Sequence, residues 1–295
     1  MFSKNQKQEF LEYFQPILNR QMFFPHAENI LEETRFKNLS NFISRLQDEE
    51  IVKLYKFKAK NDKTVKLYTS QSHSEIKPYY LALAMFPSGY FCNLSSIYYH
   101  LLTNQIPKTI YVCNETISAN RDQKQEILSN NKIQRAFIKP HRYTRYIFEF
   151  NNFEIVVVDR VKHSGHGIIS SQTKGRLWPA RSGITCIERA LIDAVVSPQY
   201  NGGIVSVYTY FKHARARLDI NKLIDIYKNL DFLYPYSQTI GFFFDKLGMN
   251  KQASKIYSMF PPKFDFFVDH NAKTTWKIDN KWKIYYPEGL VDENR

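Results

Sequence analysis

No stretch of the chain is apolar for long enough to cross a bilayer. The longest run, YYLALAMF (79–86), stops at Pro87, whereas a spanning helix needs about 20 residues. Cysteine is scarce. Cys92, Cys113 and Cys186 are scattered and odd in number, with no C-x-x-C, which argues against a disulfide framework or a zinc site and for the reduced thiols of a cytosolic protein. The opening MFSKNQKQEF is polar, which argues against a secretory leader. No phosphate-cradling G-x-x-x-x-G-K-[ST] loop is present, and GHGIISSQTKG (165–175) does not match that spacing. No nucleophile–base pair accompanies the charges of 184–203, which makes catalysis there the weaker reading, and no enzymatic activity, cofactor or metal is expected. Acidic residues are few as well: 28 against 41 basic, a net charge of +13. That imbalance attracts polyanions, either nucleic acid or an anionic membrane surface. Aromatic residues are abundant instead, with 23 Phe and 20 Tyr, side chains that fill cores and crowd partner surfaces.

The first eighty residues carry the clearest pattern. Phe10, Leu11, Phe14, Ile17 and Leu18 stand at helical spacing until Pro16 interrupts them. A short second helix is expected over His26–Glu33. In TRFKNLSNFISRLQDEE (34–50), Phe36, Leu39, Phe42, Ile43 and Leu46 fall on one helical face. Arg35 precedes the run, and Lys37, Asn38, Asn41, Ser44 and Arg45 lie on the opposite side, residue types that read base edges and bind phosphates. Asp48, Glu49 and Glu50 end the segment and would repel phosphate, so its first half is the part expected in a groove. IVKLYKFKAKNDKTVKLYTS (51–70) then alternates around Asn61-Asp62 as a β-hairpin does. It carries Lys56, Lys58, Lys60, Lys63 and Lys66 as candidate phosphate contacts. Two helices, an amphipathic third and a basic hairpin form the order of a winged helix-turn-helix, and DNA is the expected partner. The fold class expected is α+β: an N-terminal winged helix-turn-helix over 1–77, then a larger mixed α/β domain over 78–295.

Pro78 marks the boundary. A helix is expected from Leu81 to Pro87-Ser88-Gly89, a second one capped by Asn93 and running through Leu102, and a strand at TIYVC (109–113). RYIFEFNNFEIVVVDR (145–160) reads as a hairpin around Asn151-Asn152. Between 132 and 146 stand Lys132, Arg135, Lys139, Arg142 and Arg145, with no acidic residue among them. This second basic surface suits phosphates, a partner's acidic surface, or plain solvent. His163 and His166 could share a metal, but no third ligand stands at usable spacing, and the surrounding Gly and Ser indicate an exposed loop.

ITCIERALIDAVVSPQYNGG (184–203) places Glu188, Arg189 and Asp193 inside an apolar helical run. Thr185 and Glu188 have the spacing of a capping box. Arg189 and Asp193, four apart, are expected to form a structural ion pair that also bonds loop groups. Helical spacing continues from 204. The end, 264–290, alternates like strands around Asp279-Asn280 and is expected to rejoin the sheet.

YFCNLSSIYYHLLTNQIPKTIYV (90–112), ITCIERALIDAVVSPQYNGG and IGFFFDKLG (240–248) occur in the order seen in AbiEi-type antitoxins of abortive-infection E systems. The chain resembles that family over most of its length after residue 78. The resemblance implies a cytoplasmic transcriptional regulator of a phage-defence operon. In such proteins an N-terminal winged helix binds inverted repeats in the promoter, and a C-terminal domain neutralises a nucleotidyltransferase-like toxin. Two other readings compete with it. One is a defence-island regulator without a toxin. The other is a metal-dependent nuclease using Asp159, His163 and His166, although the D…(D/E)-x-K pattern is missing.

Overall fold

The computed structural model describes residues 1–116, 128–161, 165–170, 183–273 and 275–291. Its first helix, α1 (Lys4–Tyr13), starts at Ser3. The Ser3 hydroxyl accepts the Gln6 amide while the Gln6 side chain accepts the Ser3 amide, satisfying two donors that a helix start leaves open. The chain straightens at Pro16 into β1 (Leu18–Asn19). Asn19 then caps α2 (Arg20–Glu32) through the Met22 amide. This helix begins six residues earlier than its sequence suggests, because Pro25 is held inside it. Burial of Phe23, Ala27 and Ile30 on one face outweighs the single hydrogen bond that the proline removes. α3 (Leu39–Asp48) follows, then β2 (Lys53–Lys58) and β3 (Thr64–Thr69). The three strands form an antiparallel sheet in the order β1-β3-β2. Phe10, Phe14, Phe23, Phe42 and Leu46 fill the space between helices and sheet, with Tyr68 stacked on Phe23 at 4.1 Å.

α4 (Pro78–Met85) opens on a proline at its first position, where a fixed φ helps and no amide is missed. A six-stranded mixed sheet comes next, built from β4 (Tyr90–Phe91), β5 (Thr109–Thr116), β6 (Ile147–Phe150), β7 (Phe153–Val161), β8 (Ile168–Ser170) and β9 (Gly183–Thr185). Its order is β6-β7-β5-β4-β9-β8. β5 and β7 run parallel from Thr109↔Glu154 to Thr116↔Val161, and Val112, Val157 and Ile155 between them are fully buried. The β6–β7 hairpin turns at Asn151, which takes the left-handed conformation (φ 52) that asparagine tolerates.

Helices pack beyond the sheet: α5 (Asn93–Tyr99), α6 (Asn130–Phe137), α7 (Ile187–Val196), α8 (Ile204–Ala214), α9 (Ile220–Leu230), α10 (Ser237–Lys246) and α11 (Asn250–Met259). Cys92, not Asn93, takes the cap position of α5, and that helix stops at Tyr99 rather than Leu102. Asn93 is instead buried with φ 49, its side-chain oxygen accepting from Asn201 at 3.1 Å. α7 is central and buried from Glu188 to Val195. The terminal strands β10 (Phe266–Phe267), β11 (Lys277–Asp279) and β12 (Ile284–Tyr286) do not rejoin the six-stranded sheet. They form a small sheet of their own, ordered β10-β12-β11, which packs on α6 and α10. Trp282 accounts for this placement. Its indole is fully buried against Gly241 of α10 and donates to Asp245 at 3.2 Å. The fold is mixed α+β.

The β2–β3 hairpin belongs to two cores at once. Tyr68 joins the core of the first helices. Ala59 and Leu67, with Tyr55, Phe57 and Val65 beside them, join a second core containing Tyr79, Phe148, Phe150 and Ile155 of the following unit. The Lys60 amide donates to Ile147 at 2.9 Å, so the hairpin tip covers part of the edge strand β6.

A methyl added at Gly241 would lie 2.1 Å from the Trp282 ring. Gly241→Ala is therefore expected to destabilise the protein by about 1–3 kcal/mol through overpacking, read as a lower urea midpoint at unchanged slope. An unchanged midpoint would show that the ring is free to move.

Candidate nucleic-acid interface and a buried charge cluster

α3 buries Phe42 and Leu46 and leaves Asn41 and Ser44 exposed. Arg35 and Lys37 precede it, also exposed. Asn38 has a different task from the base contact expected of it. Its side-chain oxygen accepts the Asn41 amide at 3.1 Å and caps the helix, which satisfies one of the amides open at a helix start. Arg45 is held too, 2.8 Å from Glu49. Glu49 also takes Lys7 at 2.9 Å and the Phe2 amide at 3.0 Å. The hydrogen bond from Lys7, then the Phe2 amide and the Arg45 charge, keep its carboxyl below the usual range. Glu49 therefore clasps the chain start, while Asp48 and Glu50 stay exposed. Asn41, Ser44, Arg35 and Lys37 are exposed, and none of their side chains has a hydrogen bond or ion pair among the described residues.

The hairpin lysines divide into two groups. Alternation puts Leu54, Lys56 and Lys58 on one face of β2, with Tyr55 and Phe57 on the other. Lys56 lies directly opposite Lys66, and Leu54 opposite Tyr68. The Lys56 and Lys66 side chains thus share the face that packs the first helices. Neither ammonium has a carboxylate or hydrogen-bond partner among the described residues. Like charges facing each other across strands repel, and a phosphate would relieve that repulsion. Lys58 lies on the same face but is 2.7 Å from Asp62. Lys60 and Lys63 point to the second unit. The Lys60 ammonium sits between Glu149 (3.0 Å) and Glu154 (2.9 Å), and that of Lys63 lies 4.5 Å from the Tyr146 ring centre. The hydrophobic docking of Ala59 turns the tip inward, so these two lysines hold the hairpin on β6–β7 rather than reaching outward.

In the second basic stretch, Lys132 and Arg135 lie on α6, and Lys139, Arg142 and Arg145 on the extended segment after it; all five are exposed. Arg145 donates to the Lys60 carbonyl at 3.4 Å. That contact brings the second basic stretch against the hairpin tip, a neighbourhood that sequence spacing alone does not reveal.

The charges of α7 form a closed cluster. Asp193, fully buried, accepts from Arg189 Nε at 3.0 Å and from Arg160 of β7 in a shorter contact. Arg189 also donates to the His166 carbonyl at 2.7 Å. Burial alone would raise the Asp193 carboxyl, but the two guanidinium groups outweigh it and hold the group below its usual range. Arg160 was not among the sequence candidates. It stands just past Asp159 at the end of the run Val156–Val158, in the segment read as a hairpin strand. The capping box expected of Thr185 and Glu188 is not formed. Thr185 lies in β9, paired with Ile168, and Cys186 takes the cap position. Glu188 reaches across to α9, accepting the Asp219 amide at 3.1 Å and the Lys222 ammonium at 3.0 Å. Burial pushes its carboxyl up, yet the Asp219 amide and Lys222 bring it below the usual range.

Of the residues named for a nuclease, Asp159 accepts the Asn114 amide at 3.1 Å, and His166 offers its carbonyl to Arg189. His163 lies outside the described residues. Among the described residues, no group of three or more His, Cys, Asp and Glu side chains comes together to hold a metal ion, and no helix is long and apolar enough to cross a membrane.

No protein-family model matches the chain, and the search of curated proteins found no match. Among solved structures, the RV2827C protein from Mycobacterium tuberculosis is similar with a TM-score of 0.53 at 9% identity, covering 95% of this chain and 89% of its own. That likeness is one of fold, and it extends through both the first helices and the larger unit.

Asp193→Ala leaves Arg160 and Arg189 buried without a counter-charge, and its expected cost is about 3–5 kcal/mol, read by thermal unfolding of the full chain. Acid titration gives a second check. The folded-state pKa values of Asp193 and Glu188 are depressed, so their stabilisation is complete above their unfolded values of about 3.9 and 4.3. It is lost as pH falls through the lower folded values. The urea midpoint should therefore fall on acidification in that range, and Asp193→Ala should flatten the fall. An equally steep fall in the variant would remove Asp193 from the account.

Proposed function

We propose that the chain is a DNA-binding antitoxin and transcriptional autorepressor of a phage-defence operon, without catalytic chemistry of its own. Residues 1–77 act as a winged helix-turn-helix on promoter inverted repeats. Residues 78–295 neutralise a nucleotidyltransferase-like toxin encoded nearby, in the cytoplasm. The antitoxin half of this reading comes from the resemblance to AbiEi-type proteins. The DNA-binding half is carried by one observation: Lys56 and Lys66 face each other, unpaired, on the side of the hairpin that packs the first helices. The order α1-β1-α2-α3-β2-β3 supports it, since it leaves one helix with an exposed polar face beside a basic hairpin. α3 supplies Asn41 and Ser44 to bases, and Arg35, Lys37, Lys56 and Lys66 neutralise phosphates.

Lys56→Ala/Lys66→Ala should weaken binding to all duplexes alike and reduce the magnitude of the salt slope by roughly 0.9 per lost contact. Asn41→Ala should cost about 1–3 kcal/mol at one base position and spare non-specific binding. The lysine variant should still rescue cells expressing the adjacent toxin gene while failing to repress the promoter. Loss of rescue together with repression would mean that protection works through repression alone.

A further inference from the structure

The segment KPHRYTR (139–145) contains three basic side chains and an exposed aromatic ring, with no acidic residue. Its backbone is fixed at several points. The Thr144 amide donates to the Tyr200 hydroxyl at 2.8 Å, and the Gln199 amide donates to the Arg142 carbonyl at 3.5 Å. Arg145 is anchored through its guanidinium on the Lys60 carbonyl. The Tyr143 ring packs edge-on against Tyr200 at 5.9 Å but stays 66% exposed. The side chains of Lys139 and Arg142 are exposed and make no hydrogen bond or ion pair among the described residues. Anchoring the backbone while leaving these charges outward presents them at fixed positions.

This segment is continuous with the hairpin's lysine face. Lys56 and Lys58 are successive residues of that face, and Lys58 is bonded to Asp62. The Asp62 carboxyl is held low first by Lys58 and then by the charge of Arg145. Arg142 stands three residues before Arg145 on the same anchored segment. Positive side chains therefore stand on both sides of the contact between Arg145 and the Lys60 carbonyl, Lys66, Lys56 and Lys58 on the hairpin and Arg145, Arg142 and Lys139 on the segment that meets its tip. The acidic side chains along this path are paired with basic ones: Asp62 with Lys58, Glu149 and Glu154 with Lys60, and Asp269 with His141.

We propose that residues 139–145 of the larger unit form a second contact with duplex DNA, binding backbone phosphates that flank the site held by α3 and the hairpin. The inference rests on the DNA-binding reading above and extends it: the DNA partner is gripped by both parts of the chain. Phosphate contacts of this kind add affinity and orientation without reading sequence. Docking of the hairpin tip on β6–β7 fixes the two contacts relative to each other, so both engage one rigid track. An acidic protein surface is the competing partner for the same charges, but continuity with the hairpin lysines favours a polyanion long enough to cover both.

The test uses the full chain and a duplex of about three helical turns, with binding followed by fluorescence anisotropy across a salt series. Four proteins are compared: the parent, Lys56→Ala/Lys66→Ala, Lys139→Ala/Arg142→Ala, and the combination of all four changes. Circular dichroism and a melting curve establish that each is folded, and the exposed positions of Lys139 and Arg142 make folding defects there improbable. Each pair should reduce the magnitude of the salt slope by roughly 0.9 per lost contact, with the two reductions adding in the combined variant. A slope reduced by the hairpin pair but untouched by Lys139→Ala/Arg142→Ala overturns the second contact and leaves the hairpin reading intact. Loss of toxin capture with DNA binding unchanged in that same variant assigns the segment to an acidic protein instead. A slope reduced by the Lys139–Arg142 pair alone overturns the shared track and the hairpin reading together.

Discussion

The β2–β3 hairpin packs into two separate cores while Lys56, Lys58 and Lys66 stay exposed, and the arrangement of the molecule follows from that. In a strand pair with a period of two, each face has its own neighbours. One face carries Tyr68 into the phenylalanine core of α1–α3. The other carries Tyr55, Phe57, Val65 and Leu67 into the core shared with Phe148 and Phe150. A hairpin held this way cannot swing freely. Its tip, Ala59 to Lys63, is fixed against β6–β7 by the buried alanine, a backbone hydrogen bond and the Lys60 carboxylate contacts. The exposed ion pairs add little by themselves, since such pairs are worth about 0–1 kcal/mol. The apolar contacts do most of the holding, and the charges set the orientation.

A second constraint lies within the larger unit. Arg160, Asp193 and Arg189 join a strand of the sheet to the central helix through one fully buried carboxylate. Two cations on one anion leave a net positive charge in the interior, and the His166 carbonyl takes part of it. Burying such a cluster is costly, and a well-packed apolar replacement would serve stability about as well. The cluster ties α7 to β7 through two guanidinium contacts on one carboxylate. Glu188 joins α7 to α9 by accepting the amide of Asp219, the residue that caps α9, and the Lys222 ammonium. The three charges inside an apolar helix are thus positioning groups for its neighbours.

Local patterns were legible in the sequence wherever period and punctuation agreed. The alternation of 53–69, the amphipathic spacing of 39–48 and the Asn151 turn all correspond to elements in the structure. Helix boundaries were less legible, because they depend on packing that arrives from far away in the chain. The second helix was expected only from His26, yet it starts at Arg20, with Phe23 stacked on Tyr68. Thr185 and Glu188 have capping-box spacing, yet pairing of Thr185 with Ile168 places the threonine in a strand and sends Glu188 to another helix. The candidate interface was half legible for the same reason. Lysine alternation shows which side chains share a face. It does not show that Lys60 and Lys63 meet Glu149, Glu154 and Tyr146, roughly ninety residues on.

The central proposal is that α3 together with Lys56 and Lys66 binds duplex DNA and prefers the repeats of the chain's own promoter. The most direct measurement is equilibrium binding of the full chain to that promoter duplex and to a shuffled duplex of equal length, over a range of salt. The account predicts tighter binding to the promoter, by a factor on the order of 10³ or more, with both affinities falling linearly on a log–log salt plot. Equal affinity for the two duplexes at every salt concentration, or no binding even at low salt, would contradict it.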